Sequence, residues 1–126
     1  MTTQAVKVGW FEIPVNDMER AMAFYQEVFS TTLSRNTMDM LDMAWFPDDE
    51  GRGAAGSLVQ HAEFYEPSLI GTLVYFMSED VATELGKIES AGGSIVIPKT
   101  EIGPGIGFMG VFKDTEGNRI GLHSMK

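Results

Sequence analysis

The chain has 126 residues, no cysteine, and 18 acidic against 9 basic side chains, for a net charge of −9. That length suits one domain, 1–126, able to bury roughly two-thirds of its unfolded surface, and the missing cysteines exclude disulfides, thiol nucleophiles and thiolate metal sites. The negative field repels phosphate backbones and argues against nucleic acid; with neither a basic-plus-apolar leader nor an apolar run of bilayer-spanning length, the expectation is a cytoplasmic protein with no membrane partner.

Val8 to Val15 is apolar, β-branched and aromatic apart from Gly9, Glu12 and Pro14, and reads as a strand ending near Pro14. Asn16 or Asp17 suits a helix N-cap, with Glu19 completing a capping box. Ala21, Phe24, Tyr25, Val28 and Phe29 then form one apolar helical stripe. Strand alternation puts Phe11, Ile13 and Val15 toward that helix and Val8, Trp10 and Glu12 on the opposite face. A carboxylate beside a tryptophan on the second face points to a cavity lining.

Short strands follow at 31–37, 38–46 and 54–60, the last two separated by the acidic turn Pro47 to Gly51. The stretch 61–68, HAEFYEPS, reads as a linker, and its His61 as a surface histidine. The pattern then restarts. Leu73 to Met77 reads as a strand, Asp80 as a cap, Val81, Leu85 and Ile88 as a buried stripe, and Gly92-Gly93 as the helix stop. Ser94 to Pro98 is strand-like, Thr100 to Gly107 is a glycine-rich loop suited to a flap, and two last strands flank the turn Asp114-Thr115-Glu116-Gly117. The run Gly103 to Gly107 has no lysine and no following helix, which argues against nucleotide binding. The offset that carries Asp17 onto Asp80 also carries Glu12 onto Tyr75 and superposes the two helices. An internal repeat of a strand, a helix and three strands follows, with module one at 6–61 and module two at 70–124.

That repeat, with WFEIPVNDMERAMAFYQEVF in the first module, ESAGGSIVIP after the second helix and FKDTEGNRIGLHS at the end, resembles the glyoxalase I / bleomycin-resistance / extradiol-dioxygenase superfamily, the vicinal oxygen chelate proteins. The resemblance runs from about Lys7 to His123. It implies an α+β fold of two βαβββ modules, whose curved mixed sheets surround a central cavity, and a homodimer. It also implies a divalent metal in the family's enzymes, held by His, Glu or Gln side chains. The positions matching three of those ligands hold Trp10, Leu73 and Gly121, none of which can bind an ion. The fourth lies in 54–60, where either Ser57 or Gln60 is the candidate.

The expected cavity is therefore lined by Trp10, Leu73, Tyr75 and Gly121, with Glu12 and His123 as the one acid–base pairing. Methionines Met38, Met40, Met43, Met77 and Met109, in or beside the strands, add soft apolar surface. The resulting expectation is a small-molecule binder with no cofactor. The alternative is a lyase, isomerase or dioxygenase of the glyoxalase-like type using Glu12 and His123, or a shifted metal site.

Overall fold

The computed structural model describes residues 3–38, 40–50 and 54–126. It contains β1 (Glu12–Pro14), α1 (Met18–Phe29), β2 (Ser34–Met38), β3 (Leu41–Phe46), β4 (Gly56–Gln60), β5 (Val74–Met77), α2 (Val81–Ile88), β6 (Ser94–Gly103), β7 (Gly107–Lys113) and β8 (Arg119–Ser124). Two open four-stranded sheets result, ordered β1-β4-β3-β2 and β5-β8-β7-β6, each with one parallel pair and two antiparallel ones. The same strand order in both halves is the expected α+β architecture of two βαβββ modules.

Local chemistry sets the helices. Asp17 accepts a hydrogen bond from the Arg20 amide and Asp80 one from the Ala82 amide, so both N-caps are the aspartates related by the repeat. In α1 the side chains of Met18, Ala21, Phe24, Tyr25 and Val28 are buried, and in α2 those of Val81, Leu85 and Ile88. One aromatic cluster joins the halves. Phe76 of β5 lies 5.5 Å from Phe11, 5.4 Å from Phe46 and 4.8 Å from Phe29 between ring centroids, and Phe24 of α1 lies 5.8 Å from Phe112 of β7. Burying each such ring stabilises the fold by about 2 kcal/mol.

The turn between β7 and β8 forms a second joint. Glu116, whose side chain is fully buried, accepts from the backbone amides of Asn16 and Asp17 at 2.8 and 2.9 Å and from Arg20 Nε at 2.7 Å. Tyr25 donates its hydroxyl to Asp114 at 2.7 Å, and Asn118 donates Nδ2 to the Pro14 carbonyl at 2.7 Å. Burial alone would raise the Glu116 pKa. The Arg20 guanidinium, the Asn16 and Asp17 amides and Thr115 outweigh it and hold the carboxyl at about 2.

Several elements differ from the sequence reading. The first strand is only three residues long: its ladder with β4 begins at Glu12 opposite Ser57, the Ser57 amide donating to the Phe11 carbonyl at 3.0 Å. Strand β6 continues through Pro98 to Gly103, where 100–107 reads as a loop; β6 is the sheet edge, so the missing proline amide removes no ladder bond. The glycine-rich part is the hairpin tip, with Gly105 and Gly107 at φ +76° and +98°, angles that favour glycine. Gly51 of the acidic turn lies outside the described residues, as does the side chain of Met38.

Candidate functional site

Register assigns each strand residue to a face. On the helix side lie Ile13, Leu58 and Ala44 of the first sheet and Phe76, Leu122 and Gly110 of the second. On the open side of the first sheet, Glu12, Ser57, Trp45 and Ser34 form one cross-strand row. On the open side of the second sheet the rows are Tyr75, Gly121, Val111 and Ile97, then Met77, His123, Met109 and Thr100. The phase of β4 is thereby settled. Ser57 shares the face of Glu12, whereas Gln60 lies on the helix side, accepting from the Met18 amide and donating to the Asn16 carbonyl.

The first open face is partly covered by its own chain, with Trp10 still 40% exposed. Trp10 stands edge-on to Trp45 with ring centroids 5.9 Å apart, and Tyr65, from the segment expected to be a linker, donates its hydroxyl to Glu12 Oε1 at 2.7 Å. That hydrogen bond, then partial burial and the carboxylate charge, raise the Tyr65 pKa. Beneath, Met43, Ser57 and Val59 are buried. Ser57 Oγ and Trp45 Nε1, on directly opposed residues, are buried with no hydrogen-bond partner among the described residues. His61 stacks on Phe64 at 4.9 Å and accepts from the Glu63 amide, the ordinary surroundings of a surface histidine.

The second open face is exposed chiefly along its β5 edge, with Val111 and Gly121 buried in its middle. Tyr75 and Met77, on the edge strand β5, are 48% and 93% exposed. A hollow of about 460 Å³ opens here, lined by Tyr75, Met77, Met109, His123 and, from the hairpin, Ile102 and Ile106. Its walls are almost wholly apolar. A neighbouring depression of about 710 Å³ shares Tyr75, Phe76 and Met77 with it and ends at Pro47, Asp48 and Asp49. Another, of about 520 Å³, is lined by backbone and polar groups of 60–66 and lacks an apolar floor, so the smaller hollow is the better ligand site. Ile102 and Ile106 were not legible as site residues, because two isoleucines in a glycine-rich stretch carry no period.

His123 Nε2 lies 2.7 Å from the Ile106 carbonyl. A carbonyl only accepts, so Nε2 carries a proton and ties the hairpin tip to β8. Glu12 faces Tyr65 instead and borders a crevice of only about 40 Å³. Tyr75 and His123 thus meet in one hollow, with Gly121 under the Tyr75 ring. Trp10 and Glu12 belong to the partly covered face, Leu73 lies just before β5, and no hydrogen bond joins Glu12 to His123.

A family model described as Glyoxalase/Bleomycin resistance protein/Dioxygenase superfamily matches residues 7–122. The chain belongs to this superfamily. Among solved structures it is similar to a glyoxylase/bleomycin resistance protein/dioxygenase domain from Frankia sp. EAN1pec, with TM-score 0.73 and 16% identity over 98% of this chain and 100% of that one. TnmS3, an antibiotic-binding protein from Streptomyces sp. CB03234, gives TM-score 0.66 and 23% identity over 99% and 100%. Glyoxalase I from Zea mays gives 0.66 and 19% over 92% of this chain, which spans only 45% of the maize protein. These identities establish a shared fold alone. No curated protein matches the sequence.

The superfamily implies a divalent metal in its enzymes, and the donor set here does not fit one. Trp10 and Leu73 bring an indole and an isobutyl group. At Gly121 any side chain would begin 2.5 Å from the Tyr75 ring, so the ring fills the space a ligating residue would need. Among the described residues no three His, Asp or Glu side chains gather as ligands.

Proposed function

We propose that the protein binds a small, mainly apolar organic molecule on the open sheet face of its second half, without a metal ion. The observation that carries this reading is the hollow between Met77, Met109 and the hairpin tip: its about 460 Å³ falls within the range of roughly 300–1,000 Å³ usual for small-molecule sites. The fold shared with an antibiotic-binding protein supports it, and the net charge of −9 favours a neutral or cationic ligand over an anion. The enzymatic alternative uses Glu12 and His123 or a shifted metal site; for its first form, the separate hydrogen-bond partners of the two residues support binding over acid–base catalysis.

Titration with the neutral dye Nile red tests the site. Ile106→Asp places a carboxylate in the hollow and should weaken dye binding by about tenfold or more; an unchanged affinity overturns the assignment. Elemental analysis of protein purified without chelator tests the metal-free part, and a stoichiometric divalent ion overturns it. The reading includes a cytoplasmic homodimer, with the exposed Phe64 as a candidate contact between copies. Sedimentation velocity measures the pairing, and a purely monomeric protein removes it.

A further inference from the structure

We propose that Met77 is an oxidation-sensitive site at which sulfoxide formation shuts the hollow to its ligand. The inference rests on the binding site proposed above and adds a means of switching it.

The methionines whose side chains are described fall into three groups. Met18 and Met43 are buried, at 2% and 6% exposure, and Met22 and Met109 are half-buried. Met40, Met77 and Met125 stand open to solvent, at 85%, 93% and 63%. A thioether reacts in proportion to its access to the oxidant, so these three are the fast sites. Met77 is the one of them that lines the hollow. Met40 lies between β2 and β3 and Met125 beyond β8, and neither borders it.

The chemistry balances with hydrogen peroxide as the oxidant. Its distal oxygen transfers to the Met77 sulfur, an S–O bond forms as the O–O bond breaks, the sulfur loses two electrons, and the peroxide leaves as water after a solvent-borne proton shift. The product is a strongly polar acceptor with no donor of its own. It stands on an apolar wall, in the row of His123 and Met109. A ligand seated there must desolvate that oxygen without a partner, which disfavours binding. The sulfoxide is reversible by methionine sulfoxide reductases, and with no cysteine in the chain, thiol oxidation does not compete.

The full chain is treated with graded hydrogen peroxide, sulfoxide at each methionine is mapped by peptide mass, and Nile red affinity is measured on the same samples. The expected result is a loss of about tenfold in affinity that tracks modification of Met77 and is restored by sulfoxide reductase. Met40→Leu and Met125→Leu should lose affinity as the unaltered protein does. Met77→Leu should bind with an affinity of its own that peroxide leaves unchanged. Full oxidation of Met77 with dye affinity intact, slow oxidation of Met77 relative to Met40 and Met125, or a peroxide effect that persists in Met77→Leu each overturns the proposal. A dye that fails to bind even the untreated protein sinks the ligand reading itself, a different failure from these three.

Discussion

The two halves share strand order and helix caps but treat their open sheet faces in opposite ways. In the first half Trp10, itself 40% exposed, stands against Trp45, Tyr65 bonds to Glu12, and Met43, Ser57 and Val59 are buried. In the second, the equivalent strand leaves Tyr75 and Met77 in solvent, with the β6–β7 hairpin forming only one wall. The repeat carries Glu12 onto Tyr75, and this exchange separates the two roles: the carboxylate anchors a covering tyrosine, whereas the tyrosine lies against Gly121 and floors a hollow. Duplication thus yields one partly covered face and one more open face, and Tyr65 of the segment 61–68 reaches the first through Glu12.

The comparison breaks first at the joint that holds the halves together. Glu116→Gln should remove roughly 3 kcal/mol of stability at pH 7, as judged by urea unfolding, since a carboxyl lowered from 4.5 to about 2 is worth that much. A depressed folded-state pKa contributes stability that is present above the unfolded value and lost as pH falls toward the folded one. Between pH 4.5 and 2 the difference between the original protein and Glu116→Gln should therefore shrink. A constant difference across that window refutes the assignment.

Loosening the partly covered face tests the contrast more directly. Tyr65→Phe removes the hydrogen bond to Glu12 at a partly exposed site, so the stability loss should stay under about 1 kcal/mol. Trp10 and Trp45 are the chain's two tryptophans, and both belong to that face. Their fluorescence should shift to the red if Tyr65 helps to cover it, and an unchanged spectrum would show that the cover does not depend on Tyr65. The smallest effect belongs to Ser57→Ala. Removing a buried hydroxyl that lacks a partner should leave stability unchanged or raise it by up to about 1 kcal/mol. A clear destabilisation would mean that Ser57 has a partner in solution.

Much of this architecture was legible from local pattern. The two aspartate caps, the stripes of α1 and α2, the division of Phe11, Ile13 and Val15 from Trp10 and Glu12, and the repeat itself all depend on residues a few positions apart. The site was less so. His123 and Tyr75 were legible as residents of one face, because alternation along a strand places them there. The hairpin isoleucines, the covering role of Tyr65 and the phase of Ser57 were not, since each depends on a partner far along the chain. Asp114 and Glu116 read as ordinary turn residues, and nothing in their spacing signals that the turn clasps the start of α1.

By itself, then, the sequence determined the period, caps and sidedness of each element, because backbone hydrogen bonding and side-chain alternation act over a handful of residues. Only the tertiary structure decided which of two similar sheet faces is partly covered and which stays more open, and that Glu12 and His123 keep separate company. Those outcomes turn on which distant segments pack together, and burial over such distances leaves no periodic trace in the chain.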